Sequence, residues 1–259
     1  MTEAASTPEA RVLGPDAALG RWTDVLVGGR AGFVLEPVAP APGTARPWVL
    51  YAPTFSRVLP DGTTAWLFAA LVRRGLTVGG MDVGESYGSP AGRCLYDLYY
   101  DHVVARFGLD TVVRLLPQSR GGLMLYPWAA ERPERIERIG GIFPVCDLRS
   151  FPGVEVAAAA YGLATGELTA SLASHNPVDL AESLARAGVP VLHVHGDSDV
   201  VVPLEHNSAA LQQRYRAWGG TMDLVVVPGQ GHEVTPELFE AQDLVDFLAA
   251  IAPPRTTRA

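Results

Sequence analysis

The chain has 259 residues, enough to bury one large core, and its 48% hydrophobic and 19% charged residues are in the range of a globular protein. Its net charge is -8, every basic residue is an arginine, and no basic run occurs, which argues against nucleic acid or an anionic membrane surface as the main partner. The two cysteines, Cys94 and Cys146, are far apart and form no CxxC, so they offer no metal cluster, and Cys146 in an apolar run reads as a buried reduced thiol.

In chain order, residues 1–21 are small and polar and read as a flexible tail. They lack the basic and apolar regions of a signal peptide, and no stretch approaches the roughly 18 apolar residues of a membrane span. A cytoplasmic protein is the expectation. Residues 22–27 and 32–35 predict two strands joined through Gly28-Gly29. After a proline-rich joint at 37–47, residues 48–51 predict a buried strand.

Alternation follows. Helices are predicted over 65–74, 95–107, 120–131, 204–218 and 238–251, and strands over 76–81, 111–116, 139–145, 191–194 and 222–227. Pro127 falls inside the third helix and is expected to kink or shorten it. Buried strands alternating with helices predict a mostly parallel sheet covered on both faces, with the opening hairpin as an antiparallel edge. Residues 147–176 break the alternation and read as a small cap inserted in a domain spanning 22–252.

Three strand-end loops carry the chemistry. The strand at 111–116 runs through Pro117-Gln118-Ser119-Arg120-Gly121-Gly122 into an apolar helix. A serine on such a sharp turn is raised above the sheet edge, small neighbours allow strand and helix to approach, and helix amides favour an oxyanion. Pro117 stands where the G-x-S-x-G form has its first glycine.

The strand at 191–194 ends in His195-Gly196-Asp197-Ser198-Asp199, and the strand at 222–227 ends in Pro228-Gly229-Gln230-Gly231-His232. A serine needs a base to take its proton and an acid to orient the base, here in the order serine, acid, histidine. His232 is the candidate base. Asp199 is favoured as the acid, with Asp197 as a turn cap and Asp147 as the alternative acid. His193 and His195 read as packing or hydrogen-bonding residues, His102 and His206 as solvated or structural. His175, at the end of the cap segment, is a candidate substrate contact.

These motifs, in this order, resemble the α/β-hydrolase superfamily over about residues 22–251. Within it the chain resembles bacterial prolyl-oligopeptidase-like or esterase-type serine hydrolases, through Tyr51-Ala52-Pro53-Thr54 and the Asp82 to Pro90 stretch. The resemblance implies an α/β-hydrolase fold and a triad of Ser119, Asp199 and His232. It implies an oxyanion hole from the amides of Arg120 and Phe55, with Thr54 the alternative to Phe55. The His-Gly pair familiar before that loop is absent. Glu85 and Tyr87, with Thr54, are candidate substrate contacts, or else brace their loops, and the Arg120 side chain meets an anionic substrate or an acid such as Glu85.

The expected activity is hydrolysis of an ester-like bond in a small molecule through an acyl-enzyme, with no metal or organic cofactor. Thioesterase, acyltransferase or peptidase chemistry at the same triad, and a non-catalytic ligand-binding role, are the alternatives. Substrate and oligomeric state are not readable from the sequence.

Overall fold

A two-residue glycine turn opens the sheet. Gly28 and Gly29 both take positive φ (57° and 75°), which glycine adopts without steric cost, and reverse strand β1 (Gly20–Val27) into β2 (Arg30–Pro37). In the computed structural model, which describes residues 7–40, 43 and 45–250, these two strands are the antiparallel edge of one eight-stranded sheet. The other strands are β3 (Trp48–Ala52), β4 (Thr77–Met81), β5 (Val113–Pro117), β6 (Ile136–Ile142), β7 (Val191–Gly196) and β8 (Met222–Val227). They run parallel to one another, in the spatial order β1-β2-β4-β3-β5-β6-β7-β8. The carboxyl ends of the parallel strands therefore share one edge, where sites of such sheets collect.

The α-helices among the described residues are α1 (Pro8–Leu13), α2 (Ala65–Arg73), α3 (Pro90–Phe107), α4 (Gly121–Ala130), α5 (Val154–Tyr161), α6 (Thr165–Ala170), α7 (Pro177–Leu180), α8 (Glu182–Arg186), α9 (Ser208–Ala217), α10 (Pro236–Phe239) and α11 (Gln242–Ala249). Strand alternation divides the core in two. Trp48 and Leu50 of β3 pack with Tyr96, Met124, Leu184 and Tyr215 from α3, α4, α8 and α9. Val49 and Tyr51 face the other way, toward Phe68, Leu238 and Leu244 from α2, α10 and α11. Helices on both faces explain why β3, β4, β5 and β7 are buried at every position rather than at alternate ones.

Four expectations change. Residues 8–19 are not a flexible tail: Thr7 caps α1, Pro8 occupies its first turn, and a 3₁₀ turn follows over Gly14–Leu19. Val12 and Leu13 are 0% and 1% exposed in the second core, and the Glu9 carboxylate accepts the Trp22 amide at 2.9 Å. Residues 1–6 of the expected tail lie outside the described residues, as does Ile251 at the end of the last predicted helix. The strand expected at 139–145 is set three residues earlier, because Phe143 turns to φ 33° and Pro144 follows. The last helix is two, α10 and α11, and the helix expected from 204 begins as a 3₁₀ turn before α9.

Pro127 neither ends nor shortens α4. Proline leaves the carbonyl four residues back without its helical donor, here that of Leu123. That carbonyl meets the loop after β4, where a Cβ on Gly88 would lie 2.1 Å from its oxygen. Residues 147–176 carry α5 and α6 and build a third apolar cluster, with Leu148, Ala157, Leu168 and Leu172 packed on Leu123 and Val202. Among the described residues no helix is long and apolar enough to cross a membrane.

The docking of α1 gives a test. Leu13→Ala is expected to cost about 2–4 kcal/mol, as for a buried leucine, read from the urea midpoint. A change below about 0.5 kcal/mol, typical of surface sites, would mean that the segment is not part of the core.

Candidate active site

The nucleophile candidate stands on a strained turn between β5 and α4. Ser119 has φ 49°, uncommon for a residue with a side chain. The turn is held on both sides, by Gln118 N donating to the Ala52 carbonyl at 2.8 Å and Ser119 N donating to the Ile142 carbonyl at 3.0 Å. Pro117, the departure from the glycine motif, is the last residue of β5, so its missing amide precedes both of these bonds and leaves them intact. Gly121 and Gly122 are required by space: their Cβ atoms would lie 2.1 Å from the Ala52 carbonyl oxygen and 2.3 Å from that of Val145.

Ser119 Oγ is 2.8 Å from His232 Nε2, and His232 Nδ1 is 2.7 Å from Asp199 Oδ2. A carboxylate only accepts, so Nδ1 carries the imidazole proton and Nε2 is left to accept from the serine hydroxyl. The three residues expected to act together are thus in contact. The loops carrying them also touch, since a Cβ on Gly196 would lie 2.1 Å from the Gln230 carbonyl oxygen. The Phe143 ring packs 4.2 Å from the His232 ring and walls one side of it. Phe143 was not singled out by its sequence, because nothing local marks its positive φ.

Asp199 has a side chain with no exposed surface. Burial alone would raise its pKa, but hydrogen bonds from His195 and His232, the Val202 amide and the charge interaction with His232 together hold it well below the usual carboxylate range. Its Oδ1 accepts the Val201 and Val202 amides at 3.0 and 2.7 Å. The competing acids are committed elsewhere. Asp197 Oδ1 accepts the Gly229 amide at 2.7 Å and so ties the acid loop to the histidine loop. Asp147 pairs with Arg149 at 2.7 Å and accepts from Asn176 at 3.2 Å, at the root of the 147–176 segment.

The oxyanion donors divide. The Arg120 amide, beside Ser119, has no hydrogen-bond partner among the described residues, as an oxyanion donor requires. The Phe55 amide donates to the Leu59 carbonyl at 3.0 Å, so it meets an oxyanion only if that bond opens. Thr54, the alternative, is buried and bridges to Asp82.

The Arg120 side chain pairs with Glu85, and its guanidinium carbon is 5.8 Å from the ring centres of both Phe55 and Phe151. It thereby links the β3 loop to the 147–176 segment above the nucleophile. Tyr87 has φ 46°, and its carbonyl accepts the Tyr161 hydroxyl at 2.8 Å. Asp82 braces its loop through Arg30, Ser56 and the Gly84 amide. His175 does not join the triad: its ring lies 4.9 Å from Tyr161, and burial, then Arg93, lowers its pKa against the pull of Glu131. Among the described residues no group of three or more His, Cys, Asp or Glu is placed to hold a metal ion.

No protein-family model and no curated protein matches the chain. Solved structures do. An S-formylglutathione hydrolase from Agrobacterium tumefaciens superposes with TM-score 0.69 at 16% identity, over 89% of this chain and 95% of its own. Carboxyl esterase 2 from Tuber melanosporum gives 0.64 at 15% identity, over 96% and 86%. Porphyromonas gingivalis dipeptidyl peptidase 4 gives 0.69 at 15% identity over 88% of this chain, which spans about a third (35%) of that longer protein. The architecture is the α/β-hydrolase fold.

Because the folded Asp199 carboxyl titrates below its unfolded value of about 3.9, its contribution to stability is complete above that value and is lost as pH falls through the folded one. The gap in urea midpoint between wild type and Asp199→Asn is therefore expected to hold steady above about pH 5 and to narrow below about pH 4. A gap that does not change over that range would contradict the low folded value.

Proposed function

We propose that this chain is a serine hydrolase that cleaves an ester-like bond of a small molecule through an acyl-enzyme. The observation that carries the reading is the unbroken line from Ser119 Oγ to His232 (2.8 Å) and on to Asp199 (2.7 Å), with the serine raised on a positive-φ turn. A pure binding role has no use for a nucleophile, base and acid aligned in this way.

In this mechanism Ser119 Oγ attacks the substrate carbonyl carbon while its proton passes to His232 Nε2. Asp199 keeps the imidazole in the required tautomer and stabilises it once charged. The negative oxygen of the tetrahedral intermediate is met by the Arg120 amide, and by the Phe55 amide once it releases the Leu59 carbonyl. His232 then gives its proton to the leaving group. Water, deprotonated by the same nitrogen, attacks the acyl carbon and restores Ser119. A carboxyl esterase is among the solved structures of this fold, and the ester-like substrate is proposed by analogy with it.

A fluorophosphonate probe tests this directly. Wild type is expected to be labelled, and Ser119→Ala not at all. With a short-chain aryl ester, kcat is expected to fall about 10³-fold or more in Ser119→Ala and in His232→Gln. Folded wild type that stays unlabelled, or equal labelling of Ser119→Ala, would refute the proposal.

A further inference from the structure

A second hydrogen-bonded chain ends at the acid of the triad, and acyl transfer uses none of its groups. It joins Tyr126 of α4, His193 and His195 of β7 and Ser208 of α9, none of them more than 1% exposed. The Tyr126 hydroxyl is 2.7 Å from His193 Nε2, and His193 Nδ1 is 2.9 Å from Ser208 Oγ. Ser208 Oγ is 2.8 Å from His195 Nδ1, and His195 Nε2 is 2.8 Å from the Val202 carbonyl oxygen and 3.4 Å from Asp199 Oδ2.

One end of this chain sets the direction of all of it. The Val202 carbonyl only accepts, so Nε2 of His195 carries a proton. In the neutral ring Nδ1 is then an acceptor, which the Ser208 hydroxyl must serve. Ser208 Oγ in turn accepts from His193 Nδ1–H, which leaves His193 Nε2 to accept from Tyr126. Each group gives one proton and none is left unmatched. Two further properties fit this direction. Burial, then the neighbouring His195, lowers the His193 pKa to about 3, so that ring stays neutral with a single N–H, which the direction above places on Nδ1. Burial first, then Cys146 and Tyr215, raises the Tyr126 hydroxyl well above its usual range, so it keeps the proton it donates.

We infer that His195 is a positioning residue for the catalytic acid, its Nε2–H directed by the Val202 carbonyl and its Nδ1 lone pair met by Ser208 with His193 and Tyr126 behind it. The inference rests on the triad proposed above. His195 fastens the carbonyl of the Val202 residue whose amide holds Asp199 Oδ1 at 2.7 Å, so the turn is gripped at both polar groups of one residue. With Oδ1 fixed there, Oδ2 faces His232 Nδ1. In the other tautomer a lone pair of His195 would face the Val202 carbonyl and the Asp199 carboxylate together, three electron-rich groups with no proton among them, and the turn would open. His195→Gln retains a donor near the Nε2 position, whereas His195→Phe keeps a ring and loses the donor.

Two readouts on the intact protein test this. One is kcat and KM with the aryl ester. The other is the far-downfield proton resonance of His232 Nδ1–H, identified by its loss in His232→Gln. His195→Phe is expected to lower kcat by about tenfold to a hundredfold, as loss of an outer-shell orienting partner does, with KM nearly unchanged and the resonance lost. His195→Gln is expected to retain both. Ser208→Ala, which removes the donor to His195 Nδ1 and so loosens the ring, should fall between them.

If folded His195→Phe matches wild type in kcat and resonance, the assignment is overturned. Should His195→Phe not fold, Ser208→Ala decides in the same way: a fall in kcat at unchanged KM supports the role, and wild-type values refute it. If wild type is folded but not labelled by fluorophosphonate, acyl transfer is the reading that fails, and the resonance alone decides whether His195 positions Asp199.

Discussion

The close approach of Gly121 to the Ala52 carbonyl is the contact on which the site depends. It lets α4 start directly over the ends of β3 and β5, and Ser119 is forced to φ 49° at the crossing. The same device recurs at the loops of the triad, at Gly122 against Val145 and at Gly196 against Gln230, with a backbone carbonyl oxygen within 2.1–2.3 Å of where each Cβ would be. A side chain at any of these positions would push two loops apart. Three glycines thus bring residues from three separate loops to hydrogen-bond distance.

Charge is distributed to leave one carboxylate for the histidine. Of the three aspartates that compete to be its acid, Asp147 holds Arg149 and Asn176, Asp197 holds the Gly229 amide, and Asp199 reaches His232. A buried carboxylate is costly unless its lone pairs are met. Here two amides take one oxygen and the His232 ring takes the other, with His195 nearby, so the charge is kept without a cation. Arg120, the cation next to the nucleophile in the chain, is paired with Glu85 and flanked by two rings, which leaves its backbone amide as a fixed positive feature at Ser119.

What the sequence made legible follows from where the information lies. Strands flanked by helices repeat a local pattern, so the sheet and its antiparallel edge were readable, and the three loops name their residues through glycines fixed by space. Val12 and Leu13 are adjacent in a six-residue helix, too short to show a period, and their partners come from β2 and α2. The bond that occupies the Phe55 amide runs to Leu59, a loop closure that composition does not encode. His193 and His195 alternate like residues on one face of a strand and so suggest packing. Ser208 lies 15 and 13 residues further on, and Tyr126 is 67 residues from His193, so only the folded chain assembles the network.

The start of α9 joins this network to the 147–176 segment. Asn207 Oδ1 accepts the Cys146 and Asp147 amides at 2.8 and 3.2 Å, while its Nδ2 donates to the Pro203 carbonyl at 2.9 Å. The next residue, Ser208, is the link to His195. The root of the segment and the network that reaches Asp199 thus meet in two consecutive side chains. Beyond this root lies the outer part of the segment. There α5 and α6 pack through Ala157, Ala158 and Leu168 and present Val156, 57% exposed, to solvent. The bonds of Asn207 reach only Cys146, Asp147 and Pro203, so a repacking of α5 and α6 leaves the root of the segment in place.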